Sequence, residues 1–231
     1  MLTGDDKQGI YEGILGGYTF VSSAGRMIYR DSFRWVFGWL DMNGTSWSFR
    51  PPTLSLTLSG DDFAFVTGSG IFSPKKSMSG KYSLGGGREE FWGPLNYSAA
   101  NALAVTQGDM AGKWTTTSTD GFGMSIEVDA AGNLTGTTAG TTIGTCTVSG
   151  TLVQTEPSSS RNMFTVKLKG ANAATGAEKA CELDQVEEYD GLAGVVMLPA
   201  SRYPEEGAYR TLVVHAVNAN IALVTVGLRK R

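Results

Sequence analysis

Gly9-Ile10-Tyr11-Glu12-Gly13 opens the first half of the chain, and Gly112-Lys113-Trp114-Thr115 opens a second stretch about 100 residues later. In both, a glycine stands two positions before a large aromatic residue. Short alternating segments rich in Thr, Ser and Gly follow each opening. Two such openings predict an all-β chain of two tandem modules, 1–104 and 105–231. Each module is expected to be a small antiparallel β-barrel, lipocalin-like or sandwich-like, of about eight strands.

The alternation has a period of two almost throughout. Phe33, Trp35, Phe37 and Trp39 share one strand face, and Asp41-Met42-Asn43-Gly44 supplies a hairpin turn. Leu54, Leu56 and Leu58 alternate with Ser55 and Thr57 before the turn Ser59-Gly60-Asp61-Asp62. In the second half Met124–Val128 leads through Asp129-Ala130-Ala131-Gly132-Asn133 into Leu134-Thr135-Gly136. Tyr209–Val217 and Ile221–Val226 form a closing hairpin across Asn218-Ala219-Asn220. Ser79-Gly80-Lys81-Tyr82 and Ser149-Gly150-Thr151-Leu152 suggest a further correspondence between the modules. The expected helix is short: Ser98–Ala104, which joins the modules, and Asn172–Lys179.

The chain has 231 residues, of which 41% are hydrophobic and 18% charged, enough for a packed core and against disorder. A net charge of −3 gives no electrostatic footprint for nucleic acid. Arg229-Lys230-Arg231 reads as a solvated basic tail. No apolar run is long enough for a membrane-spanning helix. Met1–Asp6 lacks the basic start and apolar stretch of a secretory leader, so an exported protein would begin here after cleavage. Cys146 and Cys181 would close a loop of about 36 residues if bonded, which suits an oxidising compartment. The alternative is two buried free thiols. A zinc site is not expected, because one histidine, His215, cannot complete it, and no cofactor is expected.

No nucleophile–base motif stands out. His215 lies among Val213, Val214 and Val217 and reads as a satisfied strand histidine. Asp61-Asp62 and Glu187-Glu188-Tyr189-Asp190 read as solvated turn charges rather than glycosidase carboxylates or a calcium site. Gly85-Gly86-Gly87-Arg88 lacks the Lys-Ser/Thr and helix of a phosphate cradle and reads as a hairpin tip. The aromatic stripe Phe33, Trp35, Phe37, Trp39, with Trp47 and Phe49 after the turn, fits three roles. It fills the first barrel, its burial contributing roughly 6–10 kcal/mol before entropy, or lines a ligand cavity, or anchors a partner. The candidate binding residues are therefore Trp35, Phe37, Trp39, Trp47 and Trp92, the last within Phe91-Trp92-Gly93-Pro94. No catalytic residue is assigned.

Gly112-Lys113-Trp114, the Asp129–Gly136 hairpin and Gly144-Thr145-Cys146-Thr147-Val148-Ser149-Gly150-Thr151, with Cys181 downstream, resemble a group of proteobacterial surface lipoproteins. Ser79-Gly80-Lys81-Tyr82 through Phe91 and Tyr97 resemble the upstream module of the same proteins. The resemblance implies export and a lipid anchor at a cysteine after the signal peptide, a cysteine this sequence does not contain. The two-barrel layout is distantly similar to factor-H-binding protein and to lobes of transferrin-binding protein B. Gly112-Lys113-Trp114 is also similar to the lipocalin G-x-W, whose tryptophan lies under an arginine of the last strand, here Arg210 or Arg229. The leading expectation is an exported, non-enzymatic envelope or secreted protein that recognises a protein partner through its surface. The alternative is a lipocalin-like carrier of a small apolar ligand inside a barrel.

Overall fold

The computed structural model of the chain describes residues 7–13, 16–57, 62–116, 123–140, 143–157, 159, 161–173, 180–183, 186–199 and 207–230. The chain divides into two compact units, Met1–Asn101 and Ala102–Arg231, each built around a closed antiparallel barrel of eight strands. Asp61, Leu58 and most of the stretch 172–179 lie outside the described residues.

The first barrel runs β1 (Gly9–Gly13), β2 (Tyr18–Val21), β3 (Arg26–Arg30), β4 (Arg34–Asn43), β5 (Ser46–Thr57), β6 (Phe63–Ser73), β7 (Ser77–Leu84) and β8 (Glu90–Tyr97). Each strand pairs with the next and β8 returns to β1, so no edge is left unpaired. On β4 it is Val36 and Leu40 that enter the core, with Trp47, Phe49, Trp92 and Tyr82 around them. Alternation then places Trp35, Phe37 and Trp39 on the outer side of the wall. The expected stripe is therefore two sets: Trp47 and Phe49 fill the barrel, and the β4 aromatics do not. The two sets follow from pairing across the β4–β5 turn: Asn43 faces Ser46, Met42 faces Trp47 and Leu40 faces Phe49, so even-numbered β4 positions share the inner face with odd-numbered β5 positions. Around Pro51-Pro52, where proline has no N–H for the ladder, β5 bulges and slips register by two residues, which keeps the face. The turn between β4 and β5 is Gly44-Thr45, later than the expected Asp41–Gly44.

Across β6 and β7, Gly70 faces Gly80. A Cβ on either would come within 2.7 Å of Trp47 Cζ2, so the glycine pair is the floor on which that indole rests.

A 3₁₀ turn (Ala99–Ala102) and the one-turn helix α1 (Gln107–Met110) follow. The second barrel is β9 (Gly112–Thr115), β10 (Gly123–Val128), β11 (Asn133–Ala139), β12 (Cys146–Gln154), β13 (Phe164–Asn172), β14 (Tyr189–Pro199), β15 (Ala208–Val217) and β16 (Leu223–Lys230). Arg229 and Lys230 are not a solvated tail: they lie in β16 and pair with Thr115 and Trp114 of β9. Ser79–Tyr82 and Ser149–Leu152 are not equivalent either, since one lies in the seventh strand of its barrel and the other in the fourth.

The duplication is real at the openings. Tyr11 on β1 donates its hydroxyl to Lys7 O (2.6 Å), and Trp114 on β9 donates its indole N–H to Met110 O (2.8 Å). In both barrels the aromatic residue of the first strand bonds to a carbonyl four residues upstream. The cation over Trp114 is Lys230 (5.7 Å), not Arg210 or Arg229; Arg229 lies over Tyr209 (4.3 Å).

Candidate functional site: the mouth of the first barrel

A pocket of about 230 Å³ lies at the end of the first barrel where β1 finishes and β3 turns into β4. The turn is fixed by Asp31, whose Oδ1 accepts the backbone N–H groups of Phe33 (2.7 Å) and Arg34 (2.8 Å). This is the local bonding that makes aspartate a turn former. Its Oδ2 accepts the Tyr29 hydroxyl at 2.5 Å. On the facing wall Tyr82 donates its hydroxyl to Glu90 Oε2 at 2.6 Å.

Burial, reinforced by the bond to Asp31, holds the Tyr29 phenol far above its ordinary range. Burial and then the bond to Glu90 push Tyr82 up to about 12. Both phenols thus remain protonated at neutral pH, and their protons are committed to the two carboxylates.

Trp92 is the hub of the walls. Its ring lies 4.4 Å from Tyr29, 5.3 Å from Phe49 and 5.7 Å from Tyr82. Arg34 enters from β4 on the same side as Val36 and stacks its guanidinium over Tyr82 at 5.7 Å. Phe33 and Phe91 stand on the rim, 62% and 83% exposed. Among the described residues, four side-chain donors of this barrel are buried and without a hydrogen-bond partner: Arg30 Nε, Arg34 Nη1, Trp47 Nε1 and Trp92 Nε1. Of these residues Arg34 and Trp92 line the pocket. The carboxylates near the mouth are engaged, and the spare hydrogen-bonding capacity consists of donors.

No protein-family model, curated protein or solved structure matches this chain. Its functional reading therefore rests on geometry.

Of the residues singled out in the sequence, Trp92 lines the mouth and Trp47 lies behind it, 6.3 Å away. Trp35, Phe37 and Trp39 belong to the outer side of the barrel. Arg30 covers Trp35 at 5.4 Å and Arg50 covers Trp39 at 5.8 Å. Arg34, Tyr29 and Asp31 were not expected. The available signal was parity: with Val36 and Leu40 as the inner series, Arg34 is a charged residue pointing inward, and buried polar residues are the informative ones.

In the second barrel Cys146 and Cys181 form a disulfide. It lies at the end equivalent to the mouth of the first barrel, where β11 passes to β12 and β13 to β14. Cys181 and Leu183 are part of that barrel's core cluster. Gly170 makes room for Leu183, whose side chain a Cβ would meet at 2.7 Å. The opposite end is closed by α1, where Thr106 and Asp109 form a capping box and Lys230 Nζ donates to Asp109 O. Gln154 also binds the carbonyls of Val105 and Arg161 there. His215 is buried on β15, with Nδ1 2.7 Å from Thr225 Oγ1. Among the described residues no cluster of His, Cys, Asp or Glu is arranged to hold a metal ion, and no helix is long and apolar enough to cross a membrane.

Proposed function

We propose that the chain is an exported binding protein that holds a small molecule at the mouth of its first barrel and does not transform it. The observation that carries this reading is the 230 Å³ pocket walled by Tyr29, Tyr82 and Trp92. Rigid aromatic walls with a few polar groups are the usual make-up of a ligand site. Asp31 and Glu90 serve as acceptors for the tyrosines, which gives them positional rather than catalytic work. Export is supported by the disulfide, a bond that persists in oxidising compartments. The surface-lipoprotein resemblance supports an envelope or cell-surface location in the same direction.

A second reading, recognition of a protein partner, is favoured by the outer wall of the first barrel. Trp39 on β4 and Phe63 and Phe65 on β6 are 41%, 43% and 58% exposed, with half-buried Leu54 and Leu56 of the intervening β5 paired to Phe65 and Phe63. Aromatic anchors of this kind are enriched at protein interfaces.

Native mass spectrometry of protein gently purified from its own cells separates the two readings. A bound small molecule that leaves on denaturation, and is absent from a Trp92→Phe variant, is the expected result. A bare mass, together with capture of a protein partner that is lost in Phe65→Asp, would replace the first reading with the second.

A further inference from the structure

The mouth of the first barrel has unequal hydrogen-bonding capacity. Asp31 accepts three bonds and Glu90 accepts one from Tyr82. Arg34 has no carboxylate within ion-pair distance among the described residues, and its Nη1 and the Trp92 Nε1 are buried donors without an acceptor. A buried donor left unpaired is costly, and a guanidinium more so than a neutral N–H. An unused cationic donor and an unused indole N–H on residues lining one pocket are complementary to an oxyanion, which guanidinium binds through short charge-assisted bonds.

The remainder of the site is aromatic. Tyr29, Tyr82 and Trp92 wall it with rings tilted or edge-on to one another, and Phe33 and Phe91 stand at the rim. Aromatic walls of this kind accept a further ring through edge-to-face or offset contacts. A volume of about 230 Å³ is below the usual range for drug-sized ligands, which limits the occupant to one ring or a body of similar size.

Resting on the reading of this mouth as a ligand site, we infer that its ligand is a small planar oxyanion: one ring bearing a carboxylate or phosphate that meets Arg34 and Trp92. The ring lies among Tyr29, Tyr82 and Trp92, and the anionic head supplies the acceptors those donors lack. The ligand is thus amphiphilic rather than purely apolar.

The test titrates the full chain with benzoate, phenyl phosphate, benzamide and benzylamine, following the indole N–H NMR signal of Trp92, assigned by its loss in Trp92→Phe. Benzoate, phenyl phosphate or both are expected to move that signal downfield and to bind at least about tenfold more tightly than benzamide, the usual effect of a charge-assisted bond. The better of the two identifies a carboxylate or a phosphate head. Arg34→Gln is expected to abolish the preference, and Arg34→Lys to retain part of it. If Arg34→Gln does not fold, the comparison of benzoate with benzamide on the unaltered protein still decides. Benzamide binding as well as benzoate overturns the inference and leaves the mouth a ligand site. If no probe moves Trp92, the inference falls; if the protein purified from its cells is also bare, the underlying reading falls with it.

Discussion

Reduction of the Cys146–Cys181 bond is expected to unstopper the second barrel. The cysteines are separated by 35 residues, and the chain-entropy relation assigns closure of such a loop about 4 kcal/mol. Besides the bond, the segment 180–183 has these contacts among the described residues. Cys181 N donates to Asn172 Oδ1 (3.0 Å), Glu182 N donates to Ile143 O (2.9 Å), and Leu183 is buried against Gly170. Two hydrogen bonds at about 1 kcal/mol each and a leucine at about 2 kcal/mol total roughly the ordering entropy of those few residues, at 1–2 kcal/mol per residue. The stopper is therefore near break-even once the cross-link is gone. The assay is urea unfolding with and without a phosphine reductant, followed by amide NMR signals of the second barrel, with Cys146→Ala/Cys181→Ala as the reductant-insensitive control. A loss of about 3–4 kcal/mol is expected, a fall in Tm on the order of 10 °C. Exchange at the Glu182 amide should become fast. A loss below about 1 kcal/mol with Glu182 still protected would show that packing alone holds the stopper and would refute the reasoning.

Two further outcomes follow from the first barrel. Gly80→Ala places a methyl group 2.7 Å from both Gly70 Cα and Trp47 Cζ2, and 2.3 Å from Ser69 O. It should cost at least about 2 kcal/mol in denaturant unfolding, and a neutral result would mean that Trp47 does not rest on the glycine pair. Tyr11, Tyr29 and Tyr82 all have phenols raised by burial, Tyr82 to about 12. Below the ordinary phenol value of about 10 they are protonated in both folded and unfolded chains, so their contribution is fully present. As pH rises from there toward the folded values, only the unfolded chain releases these protons and stability falls. Ultraviolet titration should show these phenols ionising only as the barrel opens, and all 8 tyrosines titrating together near about 10 in folded protein would contradict it.

The barrels were legible because turn chemistry recurs at regular intervals and the strands alternate: Met124–Val128 and Asn133–Ala139 pair across Asp129–Gly132 as their pattern implies. The site was not legible, and β4 shows why. Arg34-Trp35-Val36-Phe37-Gly38-Trp39-Leu40 is apolar on both faces, so hydrophobicity cannot say which series is inner. The heavier aromatics suggest one answer, and the barrel adopts the other, with Val36 and Leu40 inside. That choice brings Arg34 to the mouth. The register slip at Pro51-Pro52 depends on pairing with β4 and β6, which local sequence does not encode. The cysteine pair was visible as two residues, but not that it pins Leu183 into a barrel end.

The two barrels share an architecture and differ at one end, and that difference bears most directly on where binding resides. Where the first strand begins, Asn101 binds both the N–H and the carbonyl of Ile10 in the first barrel, and in the second α1 closes the end beneath Trp114. At the other end the second barrel takes in Cys181 and Leu183 and cross-links them to the wall, with Gly170 leaving the space. The same end of the first barrel carries Arg34, Tyr29, Tyr82 and Trp92 around a pocket. A barrel stabilised by filling its end has no reason to retain unpaired donors there, and among the described residues of the second barrel the inner end groups are apolar or bonded, as with Leu183 and Thr138, whose Oγ1 donates to Gly144 O and accepts from Cys146 N. The first barrel instead keeps one guanidinium nitrogen of half-buried Arg34 and the Trp92 indole N–H buried without acceptors, a cost that folding alone does not explain. On the proposed function, a ligand that brings the acceptors would account for that cost, with recognition in the first barrel and the disulfide closing the end of the second.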